Sequence, residues 1–303
     1  MEHVAPPSLP DWIRRMLPAG IEQRSVDVGS CPMHVMTIGS GRTVLLLHGN
    51  PTWGFLYRKV AQELAGAPLR LVMPDLVGLG FSGRPPSGQH SIEQHARWLG
   101  TLVDALELRD LILVVQDWGG PIGLRLFAER PGLVKGLVLL NTVVGPPRPG
   151  FHPSAFHRLA RVPGLSELAF RVLGFPQNQL HRVQGDPASI AGDVARAYRY
   201  PLRGLARNAA PLALARMVPD SPRHPSIPPL EKAQAFVTAF DGPIEVVWGE
   251  RDPVLGRVLG WIERLLPRAR VTRTPAGHFL QEEVPEPIAA AVRRVAAALA
   301  GGG

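Results

Sequence analysis

Six apolar runs punctuate the chain: TVLLLHG (43–49), LRLVMPD (69–75), LILVVQD (111–117), VKGLVLLNT (134–142), PIEVVWGE (243–250) and RVTRTPAG (270–277). They are continuous rather than alternating, which points to parallel strands covered on both faces. Between the second and third, SIEQHARWLGTLVDALEL (91–108) repeats its apolar residues at helical spacing, and Ser91 with Gln94 makes a capping-box signature at its start. It reads as a crossover helix. The pattern predicts an α/β fold built on a doubly wound, mostly parallel sheet.

The alternation breaks between about Gly145 and Pro229. GPPRPGFHP opens that stretch, PDSPRHPSIPP closes it, and no convincing strand lies between. Proline clusters at both edges mark an insertion. SELAFRVLGF and ASIAGDVARAYRYPL inside it could form amphipathic helices over the carboxyl ends of the strands, where open α/β sheets place their ligands. The expected organisation is therefore a core domain of residues 1–144 and 230–303 with a helical cap, 145–229, inserted in it.

Composition narrows this picture. The 303 residues are 45% apolar, and mean hydropathy is near +0.05, as in a soluble globular protein with a large core. The formal charge of +8 and pI near 10.6 would permit contact with nucleic acid, but the arginines are scattered through every segment instead of forming one block. Cys31 is the single cysteine, which excludes an internal disulfide and any multi-cysteine metal site. The first 20 residues carry prolines and charges where a signal peptide needs an unbroken apolar core, and no later run suits a bilayer span. A cytoplasmic location, with neither nucleic-acid nor membrane partner, is the expectation.

Three polar residues fall just after three of the runs: Asp117 after LILVVQ, Asp252 in VVWGERDP and His278 in TPAGHFLQEE. Strand ends converge in a sheet of this class. A nucleophile, an orienting acid and a histidine base in that chain order match the triad logic of the α/β-hydrolases. Asp117 could instead be a helix N-cap, Asp252 a turn starter before Pro253, and His278 a solvated histidine. None of those readings accounts for the three together.

HGNPTW (48–53), DLVGLGFSGRP (75–85), QDWGGP (116–121), GERD (249–252) and AGHFLQEE (276–283) resemble the haloalkane dehalogenases of the α/β-hydrolase fold. The similarity runs from about Val26 onward, in register, and is weakest in the cap. Val115 departs from the small residue usual two before the nucleophile, yet VVQDWGG is the form this branch resembles. The resemblance implies that Asp117 displaces halide from an sp3 carbon, leaving an alkyl ester. A water deprotonated by His278 would hydrolyse that ester, with Asp252 holding the imidazole's other nitrogen. It also assigns the Asn50 amide and the Trp118 indole as the halide pair, and the backbone N–H groups of Asn50 and Trp118 as the oxyanion hole. Pro51 has no N–H to give. A second halide tryptophan from the cap is ruled out, since no Trp lies between 119 and 247, and an acid after the preceding strand is replaced by Asn141. Glu250 is the rival to Asp252 and is disfavoured by the Gly-x-x-Asp match.

The implied partners are a small apolar halogenated substrate and the halide product; neither a cofactor nor a metal is called for. An epoxide hydrolase would need two cap tyrosines, and only Tyr57, Tyr198 and Tyr200 exist, the last two poorly spaced to share one face. A sensor built on a retired hydrolase would show a broken triad. Gly78–Gly83, formally G-x-G-x-x-G, reads as a turn, because Arg84-Pro85-Pro86 follows where a helix should start. His48 is expected to shape its turn. Phe151, Phe156, Phe170, Phe175 and Leu255 are candidate apolar liners with core packing as the simpler role, and the oligomeric state is open.

Overall fold

A computed structural model describes residues 5–85, 89–205 and 208–301. Eight strands form one sheet: β1 (Glu22–Asp27), β2 (Pro32–Ile38), β3 (Arg42–Leu47), β4 (Leu69–Pro74), β5 (Leu111–Asp117), β6 (Val134–Thr142), β7 (Ile244–Gly249) and β8 (Arg270–Thr274). Their order is β1-β2-β4-β3-β5-β6-β7-β8. The β1–β2 and β2–β4 pairs are antiparallel, and every pair from β4 across to β8 is parallel.

The continuous apolar runs follow from a sheet buried on both sides, because successive side chains of a strand point to opposite faces. Leu45, Leu47, Leu113, Val115, Leu137 and Leu139 pack on one face with Leu99 and Val103 of helix Ile92–Ala105 and Ile122 and Phe127 of helix Gly119–Ala128. Val44, Leu46, Ile112, Val114, Val138 and Leu140 take the other, with Val60 of helix Arg58–Glu63 and Ile288 and Val292 of helix Pro285–Gly301. Burying each such side chain contributes about 1.5–3 kcal/mol. The helix that follows β3 thus lies on one face and the helix that follows β5 on the other. Their divergence opens a crevice at the carboxyl ends of these adjacent strands, the switch point of the topology.

Six of the eight strands coincide with the apolar runs. The two additional strands form the antiparallel end of the sheet. β1, EQRSVD, is an edge strand that buries only Ser25, so it has no apolar run to read. β2, PMHVMTI, is interrupted by His34, whose imidazole is buried against Asp75 at 2.9 Å. Asp75 also accepts the backbone N–H groups of Gly54 and Phe81, so DLVGLGFSG is a turn gathered around a buried carboxylate. Ser91 accepts the Gln94 N–H, starting the crossover helix as its capping signature predicts.

From 145 to 226 no strand occurs among the described residues. Short helical pieces include Ala155–Leu159, Leu165–Glu167 running into a π-helical turn Leu168–Val172, Gly192–Arg199 and Ala209–Arg216. This stretch is tied to loops at the strand ends: the Trp53 indole donates to Ala197 O at 3.2 Å and the Asn50 amide to Pro211 O at 3.0 Å. Helix Ile227–Ala239 then packs on helix Gly119–Ala128. No helix among the described residues is long and apolar enough to cross a membrane.

The turn from β5 into helix Gly119–Ala128 is closely packed. A Cβ on Gly119 would lie 2.3 Å from the carbonyl oxygen of Leu47, which is itself held by the Tyr57 hydroxyl at 2.9 Å. Gly119→Ala is expected to destabilise the protein by about 1–3 kcal/mol through overpacking, whereas Gly132→Ala, with open space around it, changes stability by less than about 0.5 kcal/mol. Urea unfolding of the two variants measures both.

Candidate active site

Asp117 ends β5 with φ at +47°, a left-handed conformation that a non-glycine residue adopts only when its surroundings impose it. Those surroundings are specific. The Thr142 hydroxyl donates to Asp117 O at 2.6 Å, and Gly49 comes so close that a Cβ there would sit 2.2 Å from Asp117 Oδ1. The tight turn leaves the carboxylate partly exposed at the carboxyl ends of β3 and β5. Its Oδ1 accepts the backbone N–H of Asn50 at 2.8 Å, so it does not serve as a helix cap; the N-cap position belongs to Trp118.

Asp117 Oδ2 faces His278 Nε2 at 3.6 Å. On the other side of the ring, Nδ1–H donates to Asp252 Oδ2 at 2.8 Å. The same carboxylate oxygen accepts from Asn141 Nδ2 at 2.7 Å, and Oδ1 accepts the Val254 N–H at 2.7 Å. Asn141 also binds both polar groups of the Gly249 backbone, donating to its O and accepting from its N–H, which locks the amide's orientation. The position where an acid could have stood therefore holds the acid in place. Glu250 points elsewhere, to Arg273 at the surface.

Charge follows this geometry. Burial alone disfavours the His278 cation, but Asp252 and Asp117 outweigh it and raise the imidazole pKa to about 10. Burial would likewise raise Asp252, and the charge and hydrogen bond of His278, with the Asn141 amide, bring it below the ordinary carboxylate value. The His278 imidazole is thus biased toward its cation, beside an Asp252 biased toward its carboxylate.

The two residues assigned as halide donors follow the ends of β3 and β5, Asn50 contacting Asp117 through its backbone N–H and Trp118 adjoining it in the chain. The Trp118 side chain is nearly buried, and its indole N–H meets no protein acceptor among the described residues. One proton of the Asn50 amide is used by Pro211 O, which leaves the other available, while Asn50 Oδ1 is buried without a partner. The Trp118 backbone N–H makes no hydrogen bond to Asp117 among the described residues. The remaining candidates lie apart: His48 accepts the Leu76 N–H and shapes its turn. Tyr57 is tied to Leu47 O, Tyr198 to Glu282, and Tyr200 packs edge-on against Trp12. Phe156, Phe170 and Phe175 pack on one another, Leu255 packs against the core, and Phe151 is exposed. A groove of about 940 Å³, lined by Ala128, Val134, Lys135, Phe236 and Phe240 among others, lies at the amino end of β6, remote from the triad.

The alpha/beta hydrolase fold family matches residues 42–285. Haloalkane dehalogenase of Mycolicibacterium paratuberculosis is 33% identical over 262 residues, 83% of each chain. Haloalkane dehalogenase 2 of Mycobacterium tuberculosis is 34% identical over 279 residues, 89% of this chain and 93% of that one. The chain belongs to the haloalkane dehalogenases. Among solved structures, the haloalkane dehalogenase DbeA from Bradyrhizobium elkani superposes with a TM-score of 0.84 at 27% identity, covering 93% of this chain and 99% of that one.

In this haloalkane dehalogenase family member, several side chains support the site without having been singled out by sequence reasoning. The loop bearing His278 is fastened to residues 183–186. His278 N–H donates to Val183 O at 2.8 Å, and the Gln184 side chain bridges Phe279, accepting from its N–H at 2.9 Å and donating to its O at 3.2 Å. Glu283 gathers the N–H groups of Gly277, Gly185 and Asp186. Gly277 allows this approach; a Cβ there would lie 2.3 Å from Val183 O. Buried Glu282 accepts a bidentate pair from Arg58 and the Tyr198 hydroxyl. Gln116 donates to His278 O at 3.2 Å. The AGHFLQEE motif contained both glutamates, but apart from Gly277 their partners are remote in sequence.

A pKa raised on folding contributes stability that is complete below the ordinary imidazole value of 6.5 and lost as pH climbs to about 10. The urea midpoint of the parent should therefore exceed that of His278→Asn by most below pH 6.5. The gap should narrow steadily toward pH 10; a gap independent of pH would contradict the raised pKa.

Proposed function

We propose that this chain hydrolyses haloalkanes to alcohol, halide and proton in two covalent steps on Asp117. The observation that carries the reading is a carboxylate, not a hydroxyl, on the strained turn, with one oxygen on a backbone N–H and the other toward the His278–Asp252 pair. A carboxylate can displace halide from an sp3 carbon, where a serine alkoxide is suited to a carbonyl. Oδ1 is occupied by the Asn50 N–H, so Oδ2 attacks: the Oδ2–carbon bond forms as the carbon–halogen bond breaks, and the electron pair leaves with the halide. The Trp118 indole N–H and the second Asn50 amide proton receive the growing charge.

Esterification removes the negative charge of Asp117, and with it part of what holds the His278 pKa up. Burial then favours the neutral imidazole, whose Nε2 takes a proton from water as the oxygen attacks Cγ of the ester. The developing oxyanion is Oδ1, already on the Asn50 N–H, with the Trp118 N–H as the second donor. Asp252, kept ionised and oriented by Asn141, stabilises the imidazolium until Nε2 returns its proton to the alkoxide as the Cγ–O(alkyl) bond breaks, releasing the alcohol and leaving an Asp117 carboxyl that gives its proton to solvent. Residues 145–229 act as the cap that closes the crevice. An epoxide hydrolase reading lacks the pair of free tyrosine hydroxyls it calls for, since those of Tyr57 and Tyr198 are spent on Leu47 O and Glu282.

Incubation with 1-bromobutane should release bromide and acid, and styrene oxide should yield no diol. In His278→Phe, steady-state bromide release falls by about 10²–10⁴-fold, and mass spectrometry finds the alkyl group retained on Asp117. An unmodified Asp117 after exposure would count against the two-step scheme. Trp118→Phe should lower halide release by about 10²-fold while the urea midpoint changes little; unchanged turnover would remove Trp118 from the halide site.

A further inference from the structure

The arginines are spread evenly along the chain, but the carboxylates are not. Residues 145–229 contain eleven arginines, no lysine and only four acidic residues, a net +7 of the chain's +8. Three of those four acids are paired already: Glu167 with Arg216, Asp193 with Arg196 and Asp220 with Arg161. Arg158, Arg182, Arg199 and Arg203 are exposed and have no carboxylate partner among the described residues.

The same segment holds the exposed apolar surface. Among the described residues, eight large hydrophobic side chains are exposed, and seven of them lie here; only Val254 lies elsewhere. Val162, Leu165, Leu168, Val172 and Leu173 fall in one run, with Leu165, Leu168 and Val172 at helical spacing. Leu205 adjoins them, its carbonyl accepting from Arg171 at 3.2 Å. Isolated exposed apolar residues are ordinary, whereas a contiguous patch marks a contact surface.

We infer that this face of residues 145–229 docks on anionic lipid bilayers, its leucines and valines entering the interface while the arginines meet the headgroups. A second copy is a poor occupant, because it would bring two segments of net +7 together. An acidic protein is disfavoured because the exposed apolar side chains of 162–173 and Leu205 are all aliphatic and offer no aromatic anchor of the kind that centres such interfaces. Aliphatic side chains rimmed by arginine suffice for a fluid, anionic surface. The sequence suggested no membrane partner for want of a spanning segment; peripheral docking needs none. What the docking serves rests on the dehalogenase reading: an apolar haloalkane concentrates in the bilayer, and the docking segment is the one that touches Asn50 and His278.

Co-sedimentation of the full chain with vesicles tests this without any substrate. Binding is expected to vesicles of phosphatidylcholine mixed with phosphatidylglycerol and not to phosphatidylcholine alone, weakening by about tenfold or more between about 0.05 and 0.5 M salt. Leu168→Ser/Val172→Ser/Leu173→Ser and Arg158→Gln/Arg182→Gln/Arg203→Gln should each cut binding to anionic vesicles by about tenfold or more, with bromide release from 1-bromobutane unchanged. The proposal is overturned if the parent does not bind at low salt, or if the serine variant binds as the parent does. It is also overturned if the parent is retained equally on polyglutamate and the serine variant loses nothing there. Sedimentation equilibrium showing a parent dimer that the serine variant dissolves, with no vesicle binding, would assign the patch to copy–copy contact. Vesicle binding without any halide release would sink the dehalogenase reading and leave the docking intact.

Discussion

The left-handed backbone at Asp117 is the constraint from which the rest of the site follows. A conformation of this kind costs on the order of 1–3 kcal/mol in a non-glycine residue. Here it is offset by the Asn50 N–H on the side chain and the Thr142 hydroxyl on the carbonyl. Gly49, Gly119 and Gly120 surround it because any Cβ at those positions would meet Asp117, Leu47 or Thr142. The turn can therefore be sharp enough to expose a carboxylate at the end of a strand whose preceding residues are all buried.

Once that carboxylate is fixed, the proton affinity of His278 depends on the charge of Asp117. Asp252 and Asp117 both favour the imidazolium, and without the charge of Asp117 the pull of burial would be less opposed. Asn141 contributes by keeping Asp252 ionised in a buried position, and the histidine loop is kept in register by Gln184 and Glu283.

Residues 145–229 join these two levels. They supply Pro211 O to the Asn50 amide, Val183 O and Gln184 to the histidine loop, and Tyr198 to the buried Arg58–Glu282 pair. They also carry nearly all of the net charge. Motion of this segment would alter donor and base together, because both are hydrogen-bonded to it.

The sequence by itself was enough for six of the eight strands and for singling out Asp117, Asp252 and His278, which the fold brings together. A doubly covered strand must be continuously apolar, and packing would not select a charged residue at its end, so the exceptions stand out. It was not enough for β1 and β2, whose edge position and buried His34 leave no apolar run. Nor could it assign Asn141, Gln184 and Glu283, whose partners lie 111, 95 and 98 residues away. The choice of Asp252 over Glu250 and the tie of the Asn50 amide to Pro211 depend on which surfaces meet. Residue type sets what a group can do, but only three-dimensional packing decides which group it reaches.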